Sequence, residues 1–232
     1  MPKTVAIIQS NYVPWKGYFD IISQADEFIL YDDAQYTKRD WRNRNRIKTA
    51  HGPLWLTIPV KVKGCYCQRI CDVEIAEHGW STAHWESIRH HYARAAHSGD
   101  YEEWLRGLYE EANQRQLSLV NMHFIAAICR LLGIQTQLTW SMDYGAEAKD
   151  RTARLVQLCE KAQADIYLTG PSAQAYLNED VFAEAGIEVR YKDYAGYAEY
   201  EQLFPPFEHH VSIIDLILNT GPDATKLMKG AK

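Results

Sequence analysis

Residues 5–33, VAIIQSNYVPWKGYFDIISQADEFILYDD, hold two short, mostly apolar runs separated by an amphipathic segment. The runs at 5–8 and 27–31 are rich in β-branched and aromatic residues, which is typical of buried strands. Between them, large apolar side chains recur at helical spacing, at Trp15, Tyr18, Phe19 and Ile22. The stretch predicts a strand–helix–strand unit, the start of a parallel sheet.

The same alternation returns in the last third of the chain. Apolar runs at 137–140, 165–168 and 187–191 alternate with helical patterns at 151–162 and 172–185. Between the two regions, residues 80–132 have helical periodicity. Ser212-Ile-Ile-Asp215 has the spacing of a capping box before the last helix. We predict one α/β domain over 1–225, with a mostly parallel Rossmann-like sheet, a helical insertion at 80–132 and a loose tail at 226–232.

Composition excludes several classes of protein. The formal net charge of the 232 residues is −5 and the pI is near 6.0, which disfavours a dedicated nucleic-acid binder. Every apolar run is far shorter than the roughly 20 residues that cross a bilayer, and no export leader is recognisable. Five Cys, an odd number, do not suggest a disulfide framework. We therefore expect a cytoplasmic protein without a membrane span.

A basic block follows the first strand–helix–strand unit. In KRDWRNRNRIK (38–48), six of eleven residues are cationic. Guanidinium groups match carboxylate and phosphate, so the block predicts an anionic ligand bound by Arg42, Arg44 and Arg46. Their spacing of two lets all three face one side of an extended chain. The alternative is a solvated basic surface.

The loops after the predicted strands are polar and short. In a parallel sheet, ligands bind beyond the carboxyl ends of the strands, where the strand order reverses. The candidates after the strands are Gln9, Asn11, Tyr12, Asp32, Asp33, Gln35, Gly170 and Ser172. Gly170 and Ser172 precede a predicted helix, whose N-terminal amides would bind phosphate or simply be capped. The two Asp would bind Mg²⁺, an amine or a hydroxyl, or pair with the neighbouring arginines.

Histidines and cysteines give weaker signals. His84 shares a helical face with Trp80 and is a candidate proton shuttle. Cys65, Cys67 and Cys71 with His78 lack the C-x2-C spacing of tetrahedral zinc sites, so we predict no metal there. No Walker loop and no Gly-x-Gly-x-x-Gly pattern follows a predicted strand, which disfavours a dinucleotide cofactor.

Several motifs together resemble the bacterial WbqC-like family. They are Gln9, Asn11-Tyr12, Pro14-Trp15, Gly17-Tyr18-Phe19-Asp20, Asp32-Asp33, Gln35-Tyr36, the 41–48 block, Trp55-Leu56-Thr57, Trp80 with His84, Tyr176-Leu177, Ser212–Asp215 and Asn219–Gly221. The resemblance covers nearly the whole chain. The family motif commonly begins His-Gln-Pro-Asn-Tyr, whereas this chain has Ile8 and Ser10. If that His is catalytic in relatives, this protein either lacks the step or takes the group from elsewhere in the chain.

The resemblance implies an accessory enzyme of surface-polysaccharide (O-antigen) or natural-product biosynthesis that transfers an acyl or aminoacyl group, such as glycine, to an amine. Arg42, Arg44 and Arg46 would bind an anionic donor, Asp32 or Asp33 the amine acceptor, and Asn11 or Tyr12 the carbonyl. The remaining motif residues would line the substrate site: Gln9, Trp15, Gln35, Tyr36, Asn43, Asn45 and Lys48. Gly170 and Ser172, from the loop after a predicted strand, would join them. An acyl carrier is one expected source of the donor.

Two alternatives stay open. An adenylate-forming or nucleotidyltransferase-like enzyme would need ATP and Mg²⁺, with Gly170 and Ser172 at the phosphates. A non-catalytic module would bind a glycan or a carrier protein, which the seven Trp permit.

Overall fold

Seven strands form two sheets. The computed structural model describes residues 1–230, and its strands are β1 (Thr4–Ile8), β2 (Glu27–Leu30), β3 (Arg44–Thr49), β4 (Gly52–Thr57), β5 (Gln137–Trp140), β6 (Ile166–Thr169) and β7 (Glu188–Tyr191). Five of them form a parallel sheet in the order β5-β2-β1-β6-β7. The predicted α/β class with a parallel sheet is confirmed. The chain runs outward from β1 in both directions, so the order reverses between β1 and β6.

Seven α-helices accompany the strands: α1 (Lys16–Ser23), α2 (Trp80–Tyr92), α3 (Ser98–Glu110), α4 (Leu117–Leu131), α5 (Arg151–Lys161), α6 (Glu179–Glu184) and α7 (Ile213–Thr220), all within residues 1–230. The sheet separates two hydrophobic clusters. Along β1, Ala6 belongs to the larger cluster, with α1, α4 and α7, while Val5 and Ile7 belong to the smaller one, with α5 and α6. This alternation follows from the two-residue period of a strand. Over the described residues, every helix is too short or too polar to cross a bilayer.

The basic block enters an antiparallel hairpin, in which Arg46 pairs with Trp55. The predicted helix at 172–185 is instead a 3-10 helix (Pro171–Ala175) followed by α6. The reason is local, because the Asn178 side chain accepts a hydrogen bond from Asp180 N and begins a new helix there. Gly170 and Ser172 therefore precede no α-helix of useful length, and the predicted helix N-terminus for phosphate is absent from this position.

The C-terminal segment differs from the predicted loose tail. A 3-10 helix covers Gly221–Leu227, and Met228 is buried against the large cluster. Residues 231 and 232, which belong to the same prediction, lie outside the described residues. At the start of α7, the Ser212 hydroxyl accepts from Ile214 N as the capping motif predicts. Asp215 does not complete the capping box, because its carboxylate accepts hydrogen bonds from the Tyr92 and Tyr200 hydroxyls.

Candidate functional site

A crevice lies at the carboxyl ends of β1, β2 and β6, where the strand order reverses. Its cavity has a volume of about 960 Å³. The ends of the three strands supply Ile8 and Gln9, Tyr31 and Asp33, and Thr169 and Gly170 to its lining. This is the position at which open α/β sheets bind ligands, and the volume suits a ligand larger than a single ring.

The crevice is strongly cationic. Its lining has four basic side chains, Arg42, Lys149, Arg151 and Arg154, and among the described residues Asp33 is the only acidic one. Three of the four lie at the start of α5 or just before it: Lys149, Arg151 and Arg154. Arg151 and Arg154 are three positions apart and share a helical face. An excess of positive charge in a concave site attracts an anion.

Arg42 joins the crevice to the loop after β1. Its Nη1 donates to the carbonyl oxygens of Gln9 and Ser10, both at 3.2 Å, and to Asn11 Oδ1. Its Nε is buried and has no protein partner among the described residues. Nη1 therefore holds the guanidinium in position, while Nη2 forms an ion pair with Asp40, at 3.6 Å from Oδ2.

Asp33 and Arg154 form an ion pair at the edge of the crevice. Asp33 Oδ1 also accepts a hydrogen bond of 2.6 Å from the Ser141 hydroxyl. Both Asp33 oxygens thus have a protein partner, and each retains a lone pair for a further one. This edge of the crevice therefore presents a cation and an anion side by side.

Tyrosines line the rest of the crevice, namely Tyr18, Tyr31, Tyr167, Tyr176 and Tyr194. The Arg151 guanidinium lies 4.8 Å from the centre of the Tyr176 ring and the Arg154 guanidinium 6.0 Å from the Tyr31 ring. Burial raises the pKa of Tyr31, an effect that the positive charge of Arg154 opposes. The crevice therefore combines anion-binding groups with flat rings on which a second flat group can stack.

A second, smaller cavity adjoins the crevice. It has a volume of about 200 Å³ and is lined by Asn11, Pro14, Trp15, Trp41, Asn45 and His210. We call it the aromatic pocket. Trp15 lines both cavities, and Asn11, in the aromatic pocket, is hydrogen-bonded to Arg42, in the crevice. Two neighbouring sites of different chemistry, one charged and one apolar, thus meet at these side chains.

The loop between β1 and α1 is held in a strained conformation between the two cavities. Val13 has a φ of 36°, in the left-handed region that β-branched residues avoid. The Asn45 side-chain amide donates to the carbonyl oxygens of Tyr12 (3.1 Å) and Val13 (2.8 Å). Tyr12 N also donates to Trp41 O at 3.0 Å. Strained loops of this kind concentrate at functional sites.

Asp32 lies inside the protein, although it neighbours Asp33. It is fully buried and accepts hydrogen bonds from Ser10 N, at 2.8 Å, and from the Ser118 hydroxyl. The Ser118 hydroxyl, in the first turn of α4, points to Asp32, and α4 has no side-chain cap. Burial raises the pKa of Asp32, and these hydrogen bonds oppose the rise. Asp32 anchors the loop after β1 to α4 and does not line either cavity.

Tyr12 and His84 come together in the interior. The Tyr12 hydroxyl is 2.8 Å from His84 Nδ1 and 2.9 Å from the Tyr109 hydroxyl, among the rings of Trp80 and Phe124. Burial lowers the pKa of His84 to about 4, and a backbone hydrogen bond with Thr57 opposes this shift. His84 is thus neutral near pH 7. Neither residue lines the crevice or the aromatic pocket.

The other arginines of the basic block face the hairpin. The Arg44 guanidinium lies 4.1 Å from the centre of the Trp55 ring, and that of Arg46 lies 5.5 Å from it. Arg46 Nη2 also donates to His210 O at 2.7 Å. Neither guanidinium lines a cavity, although Arg46 also lies 5.8 Å from the ring centre of Trp41, a residue of the aromatic pocket. Arg42, by contrast, lines the crevice.

Three further predicted residues are buried beside the site. Asn43 accepts a hydrogen bond of 3.0 Å from the Tyr36 hydroxyl and donates one of 2.8 Å to Ile58 O. Lys48 Nζ donates to Pro206 O. These contacts fix the basic block and β3 in place. None of the three side chains lines a cavity.

The structure brings nine of the seventeen predicted site residues to the two cavities: Gln9, Asn11, Trp15, Asp33, Gln35, Arg42, Asn45, Gly170 and Ser172. It leaves eight outside them: Tyr12, Asp32, Tyr36, Asn43, Arg44, Arg46, Lys48 and His84. The sequence analysis missed Lys149, Arg151 and Arg154. Their signal was the run Lys149-Asp150-Arg151 at the start of a helix, after a strand of the same sheet.

The middle loop between β4 and α2 carries three of the five cysteines. Cys65 and Cys67 are exposed, and Cys71 is partly buried. Over residues 1–230, no three His, Cys, Asp or Glu side chains are arranged to hold a metal ion.

The chain is similar to known proteins over a region that includes both cavities from Gln9 onward. A model of the WbqC-like protein family matches residues 9–227. The chain is 49% identical over 227 residues to the uncharacterized protein Rv1507c of Mycobacterium tuberculosis, covering 98% of each chain. No solved structure matches the chain.

Proposed function

The chain belongs to the WbqC-like protein family, and from this premise we propose that it transfers an acyl or aminoacyl group from a phosphate-bearing donor to an amine acceptor. The acceptor would be an amino sugar, an amino acid or a related compound of polysaccharide or natural-product biosynthesis. One observation carries the proposal, which is the cationic crevice at the reversal of strand order, with four basic side chains and one carboxylate.

The basic side chains would bind the donor. Arg42 and Arg154 line the crevice, and Arg151 and Lys149 add positive charge beside them. Arginine binds phosphate oxygens in pairs, and such charge-assisted hydrogen bonds are stronger than neutral ones. When the amine nitrogen attacks the acyl carbon, the C–N bond forms and the C–O bond to phosphate breaks. The same arginines stabilise the negative charge on the leaving phosphate.

Asp33 would bind the amine of the acceptor, and Asn11 would bind the carbonyl oxygen of the acyl group. Asp33 is the carboxylate that faces the crevice, so it would hold the amine and accept its proton. Asn11 Oδ1 is occupied by Arg42, which orients the side-chain NH₂ towards the aromatic pocket as a donor for the carbonyl oxygen. We assign no such role to Tyr12, because its hydroxyl is bonded to His84 and Tyr109 in the interior.

Amide formation tests the proposal directly. The purified chain would be incubated with glycyl-adenylate or acetyl phosphate and glucosamine, and the N-acyl product measured by mass spectrometry. We expect product above the uncatalysed rate, reduced about tenfold or more by Arg154→Gln. Arg44→Gln is the matched control and should keep the wild-type rate. A rate equal in wild type and Arg154→Gln would refute the assignment.

A second candidate is supported by the tyrosines. Tyr31, Tyr176 and Tyr194 offer stacking faces beside the basic groups, as a nucleobase next to phosphates would need. In this case the protein would form an acyl-adenylate from ATP, with Mg²⁺ carried in by the nucleotide. Pyrophosphate release that depends on an added amino acid or carboxylic acid would favour this candidate. Amide formation from a preformed adenylate without ATP would favour the first.

A further inference from the structure

The aromatic pocket differs from the crevice in charge, in aromatic content and in volume. Its six lining residues include no acid and no base other than His210, and three of the six are aromatic. Sites lined in this way bind uncharged, flat groups, and the few polar atoms set their orientation. The volume of about 200 Å³ is below the ~300–1,000 Å³ of sites for drug-sized ligands, so the pocket suits one ring rather than a nucleotide.

The Asn11 side chain offers hydrogen-bond donors to a ligand in the pocket. The Asn45 amide is fully engaged, because it donates to Tyr12 O and Val13 O and accepts from Arg46 N. Asn11 Oδ1 accepts from Arg42, while Asn11 Nδ2 makes no hydrogen bond to any residue of 1–230. The Asn11 NH₂ has two N–H donors, so one can bind the acyl carbonyl oxygen and the other an oxygen acceptor on the ring.

The position of Trp15 sets the boundary between the cavities. Its ring packs against Tyr194 at 5.4 Å and His210 at 5.6 Å, measured between ring centres. The ring also lies over Gly17, where a Cβ atom would be only 2.3 Å from Trp15 Cζ2. Any side chain at position 17 would push the ring away. The glycine thus allows Trp15 to contact both ligands at once.

We infer that the aromatic pocket is a subsite for one uncharged ring of the amine acceptor, held against Trp15 and Trp41 with an oxygen accepting from Asn11. The inference deepens the proposed function and rests on it, because the proposed function identifies the bound compound as the acceptor. The ring would lie on the far side of Trp15 from the donor phosphate, with the amine pointing through the Asn11–Arg42 junction towards the crevice. The specificity of the protein for its acceptor would then depend on Trp41 and Asn11.

Two uncharged probes test the subsite on the full chain. Benzamide and methyl glucoside represent an aromatic and a pyranose ring, and their binding would be measured by NMR titration. We expect at least one to bind with a dissociation constant of about 1 mM, as befits a small fragment. Trp41→Ala and Asn11→Ala should each weaken that binding about tenfold. Trp41 is 39% exposed, so its variant should fold, and Asn11→Ala alone carries the test if it does not.

Two control variants separate this inference from the proposed function. Tyr66→Ala removes an exposed ring outside the pocket and should leave probe binding unchanged. Arg154→Gln should weaken binding of inorganic pyrophosphate about tenfold or more but leave ring binding unchanged. If neither ring binds, or if binding survives both pocket substitutions, the subsite does not exist. If pyrophosphate binding is equal in wild type and Arg154→Gln, the proposed donor site is wrong, whatever the rings do.

Discussion

The cavity-facing and the interior-facing residues of the same motifs make a direct comparison, because they are neighbours in sequence. Asn11 and Arg42 line the cavities, while Tyr12 and Asn43, one position later, are buried. Asp33 lines the crevice and Asp32 is fully buried. Each motif thus contains a residue that faces a cavity and a residue that holds the loop in place. Substitutions on the first side should change binding, and substitutions on the second side should change stability.

The two aspartates should show the largest difference. Asp32→Ala leaves the Ser10 amide and the Ser118 hydroxyl without their acceptor, so we expect it to lower the free energy of unfolding by about 4 kcal/mol. Asp33→Ala removes one ion pair, with the partly exposed Arg154, and one hydrogen bond from Ser141, and should cost about 1–2 kcal/mol. Urea denaturation of both variants measures the difference. Equal losses would break the comparison.

The buried histidine should give the stability a particular pH dependence. The pKa of His84 is about 4 in the folded protein, against 6.5 for an ordinary histidine. Between these values only the unfolded chain takes up the proton, so stability falls as the pH drops from about 6.5 to 4 and then levels off. This amounts to about 3 kcal/mol relative to a His84→Gln variant. Chemical denaturation from pH 4 to 7 measures it, with the exposed His90→Gln as control.

The arginines of the basic block separate the crevice from the hairpin. Arg42→Gln should weaken the binding of pyrophosphate about 10- to 100-fold, because a charge-assisted hydrogen bond contributes about 1.5–3 kcal/mol. Arg44→Gln should change it less than about twofold, since that guanidinium stacks on Trp55 away from the crevice. Calorimetric titration of each variant gives the affinities. A larger loss in Arg44→Gln than in Arg42→Gln would reverse the assignment.

The smallest expected effect separates Asn11 from Tyr12. Tyr12→Phe removes a buried hydroxyl that contacts His84 and Tyr109, and should destabilise the protein by about 1 kcal/mol. Asn11→Ala should change stability by less than about 0.5 kcal/mol while it weakens ring binding. Thermal unfolding of both variants, beside the probe titration, detects the contrast. A lower stability of Asn11→Ala than of Tyr12→Phe would contradict this assignment of the two residues.

Much of the fold could be predicted from local patterns. The apolar runs identified the five parallel strands, and the helical periodicity identified the helices between residues 80 and 132. The break between Pro171 and α6 was not predicted, because Asn178 acts as a cap only once the chain has turned there. The burial of Met228 depends on contacts with residues far away in sequence, so composition alone suggested a loose tail.

The site was harder to predict than the fold. The rule that ligands bind at the carboxyl edge of the sheet correctly brought together Gln9, Asp33 and Gly170. The basic block misled, because neighbouring arginines diverge where the chain enters the hairpin, and only Arg42 reaches the crevice. Its charged partners, Arg151 and Arg154, come from a helix more than a hundred residues later. Only the topology of the sheet brings them together.

A crystal of the protein soaked in tungstate, a heavy tetrahedral oxyanion that imitates phosphate, tests the position of the anion site most directly. We predict a strong anomalous peak within hydrogen-bond distance of Arg42 and Arg154, near Arg151. A peak at Arg44 and Arg46 on the hairpin, with the crevice empty, would contradict the assignment of the donor site.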